Sequence, residues 1–118
     1  NPLVVSLASG ANFIARGFAG FPHETAGLIV EAVRHPGFSF IEILSPCVTY
    51  RPDQRAWKDL VRPAPVDPTH DPARAARRLM TDDGLNLGVL FRGNRKPFQP
   101  VTSDTACDLA TLETEFEL

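Results

Sequence analysis

The sequence predicts an α/β fold that contains a partial parallel sheet. Two apolar runs, residues 12–16 and 38–44, have the length and composition of strands, and residues 22–35 between them carry apolar side chains at helical spacing. A strand, a helix and a second strand joined by short turns form a βαβ unit, whose strands run parallel through a right-handed crossover. We therefore expect these two strands to be parallel.

Punctuating residues set the limits of the first elements. Asn1 can cap a short helix that has proline at its first position and ends at Gly10. The longer helix ends at Pro36-Gly37, because proline and glycine both disfavour its continuation. The strand that follows has one charge, Glu42, in an otherwise mostly apolar run, which is typical of a strand buried in a parallel sheet.

The chain divides into three segments of one domain: a helix–strand–helix–strand core over 1–45, a proline-rich arm over 46–72, and a C-terminal segment over 73–118. The arm holds six prolines and one helical turn. The last segment begins with a basic helix capped by Asp71 and continues with a strand at 85–91. A basic turn and an acidic C-terminal helix complete it.

Composition excludes several classes of protein. The chain has 118 residues, of which 43% are hydrophobic, and no apolar run approaches the roughly 20 residues that span a bilayer. No aromatic and basic interleaving supports nucleic-acid binding, and no glycine-rich phosphate loop follows a strand. Two cysteines are too few for a disulfide framework, so we expect a reducing, cytoplasmic location. The absence of an initiator methionine favours a piece of a longer protein.

Charge is distributed unevenly along the chain. Residues 51–100 carry ten basic and six acidic groups, whereas the last eighteen residues carry five acids and no base. The basic groups are candidates for guiding an acidic electron carrier, although a solvated surface is the commoner explanation of such a cluster. They are Arg74, Arg77, Arg78, Arg92, Arg95 and Lys96.

Cys47 is the candidate for chemistry. It lies in Ser45-Pro46-Cys47, directly after the strand at 38–44, and proline there ends the strand. Open α/β sheets usually place their functional groups on such loops. The residues alone leave three possibilities: a small buried hydrophobe, a metal or cluster ligand, and a nucleophile, which would need a nearby histidine. His35 lies at the far end of the strand, and no histidine has metal-ligand spacing.

Two stretches resemble one protein family closely. They are residues 1–18, NPLVVSLASGANFIARGF, and residues 35–50, HPGFSFIEILSPCVTY. Both are similar to the C-terminal half of the thiamine-diphosphate-binding beta subunit of 2-oxoacid:ferredoxin oxidoreductases. A looser similarity continues through residues 87–91, Arg95 and Pro97. The resemblance implies that the fold is the C-terminal part of a thiamine-diphosphate-binding fold.

The resemblance also implies a function and its cofactors. Enzymes of this family cleave a 2-oxoacid with coenzyme A, release carbon dioxide and pass electrons through an iron–sulfur cluster to ferredoxin. The implied cofactors of the parent protein are thiamine diphosphate, Mg²⁺ and a 4Fe-4S cluster, and the implied partners are an alpha subunit and ferredoxin. Cys47 matches one of the four cluster thiolates, and 2-oxoglutarate is slightly favoured over pyruvate as the substrate.

Departures from the family limit what this chain can do alone. It lacks the family's other three cluster cysteines and the Gly-Asp-Gly…Asn segment that binds Mg²⁺ and diphosphate, and Cys107 matches no ligand position. No catalytic or thiamine-binding residue is therefore assigned. We expect the isolated chain to be inactive, to bind neither cofactor and to self-associate. The alternatives are a non-catalytic βαβ interaction or assembly domain and, with less support, a small thiol enzyme.

Overall fold

The computed structural model describes residues 1–98, so the predicted C-terminal helix and Cys107 lie outside the described residues. A 3₁₀ helix spans Pro52–Ala56. The helices and strands are, in chain order, α1 (Pro2–Ala8), β1 (Phe13–Phe18), α2 (Pro22–Arg34), β2 (Ser39–Leu44), α3 (Trp57–Leu60), β3 (Arg62–Pro63), α4 (Pro72–Thr81) and β4 (Asn86–Arg92).

The predicted βαβ unit is confirmed. β1 and β2 pair in parallel, with Phe13 opposite Ser39 and Phe18 opposite Leu44, and α2 connects them. The first helix begins as predicted, because the Asn1 side chain accepts hydrogen bonds from the main-chain N–H groups of Leu3 and Val4. Asp71 caps α4 in the same way.

The sheet is mixed rather than purely parallel. Its four strands lie in the order β2-β1-β4-β3, and β4 runs antiparallel to β1. The direction of β4 follows from the position of α4, whose C-cap Asp82 lies beside Arg16 near the end of β1. A short turn after Asp82 starts β4 at that end of the sheet, so the strand must run back along β1.

The proline-rich arm borders the sheet. β3 pairs in parallel with the start of β4, and Thr69 forms a bridge to Phe91 near its end. The second half of the arm therefore lies along the outer edge of β4. The first half contains the predicted helical turn as the 3₁₀ helix and α3. Within residues 1–98 no strand pairs with the outer edge of β2. The division at residues 45 and 72 stays a prediction.

The core lies on both sides of β1, all six of whose residues are buried. One cluster includes Leu3, Leu7 and Leu79 from the α1–α4 side, and the other joins Phe13 and Ala15 to α2. β1 is thus the centre of the fold, with helices on both faces. No helix within residues 1–98 has the length and apolar character needed to cross a membrane.

Candidate functional site

Cys47 lies on an exposed loop just beyond β2. The main-chain oxygen of Leu44, the last residue of β2, accepts a hydrogen bond from Ala19 at 2.9 Å and so fixes the end of β2 against the end of β1. Cys47 is a free cysteine with its residue surface exposed, so the interpretation of a small buried hydrophobe is wrong. The thiol stands at a strand-end position that is anchored to the centre of the sheet.

The loop is closed by its own main-chain groups and one side chain. The N–H of Cys47 donates to Oε1 of Gln54 at 2.8 Å, and its carbonyl accepts from the N–H of Arg51 at 2.8 Å. Arg51 and Asp53 form a two-point ion pair at the surface, with nitrogen–oxygen distances of 3.1 and 2.9 Å. Both main-chain polar groups of Cys47 are therefore bonded within the loop, and the thiol points to no protein hydrogen-bond partner among the described residues.

The surroundings give little support to a thiol nucleophile. Among residues 1–98 no histidine forms a hydrogen bond with the Cys47 thiol. His35 packs against the ring of Phe13 with centroids 5.4 Å apart, and Nδ1 of His70 lies 2.5 Å from the main-chain oxygen of Arg92. Both histidines have structural roles. The described part of the chain also contains no group of three His, Cys, Asp or Glu residues that could hold a metal ion.

A buried arginine lies at the same end of the sheet. Arg16, on β1, is only 3% exposed; its Nε donates to Glu42 at 2.5 Å, and its Nη1 donates to Asp82 at 2.5 Å. Nη1 also lies 3.2 Å from the main-chain oxygen of Asn86. An open cavity of about 460 Å³ borders this cluster, and Trp57 and Leu44 are among the residues that line it.

The arginine and one carboxylate stabilise each other's charged forms. Burial opposes the charge of Arg16, but hydrogen bonds with Glu42 and Asp82 outweigh it and raise the pKa of Arg16 above its ordinary value. Burial likewise opposes the charge of Asp82. Hydrogen bonds from Asn86 and Arg16 outweigh that effect, so the pKa of Asp82 lies below its ordinary value. Arg16 and Asp82 are therefore both charged at neutral pH.

None of the three charged residues of this cluster is a predicted site residue. Arg16 and Glu42 were each visible as a charge within an apolar strand, and they occupy opposite positions in the parallel register of β1 and β2. Pairing the two predicted strands residue by residue would have brought the opposite charges together. Asp82 carried no such indication, because its approach depends on how α4 packs.

The predicted basic cluster is divided by the fold. Arg92 forms an ion pair with Glu31 and lies over the ring of Phe13, with 5.6 Å between the guanidinium carbon and the ring centroid. The main-chain N–H of Arg95 donates to Asn12 at 3.0 Å. Arg74, Arg77 and Arg78 lie together on α4 and form none of the ion pairs found among residues 1–98.

Comparison with known proteins tests the resemblance. No model of a protein family matches the sequence. The 2-oxoacid:ferredoxin oxidoreductase subunit beta of Saccharolobus solfataricus is 33% identical over an alignment that covers 82% of this chain and 33% of the relative. Subunit beta of 2-oxoacid:ferredoxin oxidoreductase 2 from Aeropyrum pernix is 30% identical, covering 77% of this chain and 34% of the relative.

The chain is homologous to part of these beta subunits. The predicted resemblance to 2-oxoacid:ferredoxin oxidoreductase is thereby confirmed, and the chain spans about a third of the length of these relatives. The fold is also similar to a solved 2-oxoglutarate:ferredoxin oxidoreductase from Magnetococcus marinus with 2-oxoglutarate, coenzyme A and succinyl-CoA bound. The TM-score is 0.71 at 29% identity, over 99% of this chain and 39% of that chain.

In this chain, which is related to beta subunits, we expect Asp82→Asn to reduce the loss of folding stability at acidic pH. The folded pKa of Asp82 is lowered, so below about pH 4 the unfolded chain binds more protons than the folded chain. The stabilisation from Asp82 is therefore complete above that range and is lost as the pH falls through the folded pKa. Urea unfolding between about pH 6 and pH 2.5 should show a shallower fall in unfolding free energy for Asp82→Asn than for the wild type.

A graded variant provides the comparison for this measurement. Asn86→Ala keeps the Asp82 carboxyl but removes a hydrogen-bond donor to it, so an intermediate slope is expected. If the unfolding free energies of the wild type and Asp82→Asn fall with pH at the same slope, folding does not lower the pKa of Asp82.

Gln54→Ala should loosen the Cys47 loop. The variant removes the acceptor of the Cys47 N–H, and a net hydrogen bond is worth about 0.5–1.5 kcal/mol, so exchange of this amide with D₂O should accelerate about two- to tenfold. Arg55→Ala, on the neighbouring residue, should leave the exchange rate unchanged. Equal rates in the two variants, measured by NMR, would show that Gln54 does not hold the loop.

Proposed function

We propose that this chain forms part of the beta subunit of a 2-oxoacid:ferredoxin oxidoreductase. The intact enzyme would oxidatively decarboxylate a 2-oxoacid with coenzyme A, yielding an acyl thioester and carbon dioxide, and transfer the electrons to ferredoxin. The observation that carries the proposal is the similarity to beta subunits of that name along more than three quarters of the chain. The non-catalytic alternative is not favoured, because these relatives are subunits of oxidoreductases.

The proposed substrate is 2-oxoglutarate in preference to pyruvate. Support comes from the solved structure with the similar fold, a 2-oxoglutarate:ferredoxin oxidoreductase with 2-oxoglutarate bound. The proposed partners are an alpha subunit and ferredoxin. We further propose a cytoplasmic location, because thiolate ligands must stay reduced.

Cys47 is the proposed cluster ligand of this chain. Its thiol is exposed, lies at a fixed strand end and is free of hydrogen bonds to described residues, which suits a thiolate that must reach a group outside the chain's own core. A 4Fe-4S cluster would relay electrons to ferredoxin. Residues 1–98 supply no other cysteine, so the remaining ligands of the proposed cluster must come from elsewhere.

Thiamine diphosphate and Mg²⁺ do not fit the described residues by themselves. Mg²⁺ prefers an octahedral shell of oxygen ligands, and residues 1–98 contain no cluster of three carboxylate, histidine or cysteine side chains for it. We therefore assign the chain a supporting role for that cofactor. Its own contribution is the βαβ unit and the loop that presents Cys47.

Cys47→Ala in the intact enzyme should remove a ligand of the proposed cluster. Loss of a partner one shell further from a metal already costs about 10- to 100-fold in affinity or activity, so ferredoxin reduction should fall at least about tenfold. Iron and acid-labile sulfide content and the electron paramagnetic resonance spectrum of the reduced protein should change together.

Cys107→Ala is the matched control, since it removes the chain's other thiol and should leave the cluster intact. Unchanged iron content and an unchanged spectrum in Cys47→Ala would overturn the ligand assignment. If the wild-type enzyme contains no cluster and does not oxidise a 2-oxoacid, the proposed function itself is wrong.

The isolated 118-residue chain should hold neither cofactor. A 4Fe-4S cluster normally needs four thiolates, and the chain has two cysteines. Anaerobic reconstitution with iron and sulfide should leave no stable cluster absorbance after desalting, and calorimetric titration with thiamine diphosphate and Mg²⁺ should give no saturable heat. A stable cluster at one per chain, or saturable binding, would contradict this expectation. Self-association of the chain also stays a prediction.

A further inference from the structure

Helix α4 has a basic face that no acid in the described part of the chain neutralises. Arg74, Arg77 and Arg78 fall in one stripe, because successive helical residues are turned by about 100°. The opposite face buries Ala75 and Leu79 in the core. No carboxylate among residues 1–98 forms an ion pair with the three arginines.

An open cavity lies beside this face. It has a volume of about 660 Å³ and is lined by residues 64–70 of the arm together with Arg74 and Arg78. Arg78 donates from Nη1 to the main-chain oxygen of Asp67 at 2.9 Å, which holds this guanidinium at the rim. Asp67 is the only acid in the lining, so the cavity keeps an excess of positive charge.

The C-terminal segment has the opposite charge. All twelve Lys and Arg residues of the chain precede residue 99, whereas residues 99–118 contain five acids and no base. These acids are Asp104, Asp108, Glu113, Glu115 and Glu117. The segment and the basic face of α4 therefore attract each other electrostatically when they are within about a Debye length.

Beyond β4 the described chain passes the start of β1 and β2, where the main-chain N–H of Arg95 donates to Oδ1 of Asn12 at 3.0 Å and Pro97 lies beside Gly37. The end of β4 itself lies at the end of the molecule where α4 begins. The N–H of Arg92 donates to Thr69 at 3.1 Å, and Nδ1 of His70 lies 2.5 Å from the main-chain oxygen of Arg92. Thr69 and His70 come directly before Asp71, the N-cap of α4. The end of β4 is thereby fixed next to the first turn of α4.

The C-terminal segment can span more than the length of the basic face. Asp104 is six positions after Phe98, and an extended chain covers about 3.3–3.6 Å per residue, so Asp104 can lie roughly 20 Å from Phe98. The ten residues of α4 are about 15 Å long. The span open to the acids after Asp104 is therefore longer than the helix that carries the three arginines.

We propose that the acidic segment, residues 104–117, docks on the basic face formed by Arg74, Arg77 and Arg78 of the same molecule. Exposed ion pairs are individually weak and are screened by salt, so docking is reversible. The proposal stands independently of the function proposed for Cys47.

A spin label on Cys107 tests the contact directly, because this cysteine lies between Asp104 and Asp108. In the full chain carrying Cys47→Ser, a nitroxide on Cys107 should broaden the amide NMR signals of residues 74–78 relative to the reduced label. Broadening should be strong at about 0.01 M salt, where the Debye length is about 30 Å, and disappear at about 1 M, where it is about 3 Å.

Two sets of variants locate the contact. The double variant Arg74→Gln/Arg77→Gln should abolish the broadening, whereas Arg55→Gln/Lys58→Gln, which removes the same charge from the arm, should retain it. Asp104→Asn/Asp108→Asn leaves α4 untouched and should weaken the broadening even if the α4 variant fails to fold.

Three results would overturn the proposal. They are the absence of broadening on α4 at low salt, broadening that persists in both Arg74→Gln/Arg77→Gln and Asp104→Asn/Asp108→Asn, and broadening of an unlabelled ¹⁵N chain by a separate spin-labelled chain at equal strength. The last result would assign the contact to a second copy.

Discussion

The fold depends on the burial of one cation, the guanidinium of Arg16, in the central strand. Removing a charge from water costs several kcal/mol unless partners compensate it. Those partners come from both sides of β1: Glu42 from β2 and Asp82 from the turn before β4. Arg16 is satisfied only when the βαβ unit and the α4–β4 turn are both in place. The ion pairs therefore make the two halves of the sheet depend on each other.

Asn12 makes the corresponding connection at the other end of β1. Its side chain donates to the main-chain oxygens of Pro36 at 2.8 Å and Arg95 at 3.1 Å, and accepts from the N–H of Arg95. These bonds join the entry to β2 with the exit from β4. A buried amide satisfied in this way specifies the relative positions of segments distant in the sequence. Between Asn12 and Arg16, the central strand holds both neighbours at both ends.

Local features of the fold were predictable, and long-range ones were not. The caps at Asn1 and Asp71 depend on two or three adjacent residues, and the parallel pair β1–β2 follows from a short crossover through α2. The direction of β4 and the pairing of β3 depend instead on where α4 packs. α4 packs against α1, which is far from it in the sequence. No periodicity within β4 itself encodes that position.

The same distinction applies to the candidate site. Proline after an apolar strand was enough to place Cys47 on a strand-end loop. The role of Gln54 could not be predicted, because its contact with the Cys47 N–H requires the turn from Cys47 to Arg51. That turn matters for the proposed ligand role. A thiolate whose main-chain neighbours are already bonded within the loop loses little further freedom when it binds a metal centre. The ordering is supplied by residues 47–54, so ligands from elsewhere need not provide it.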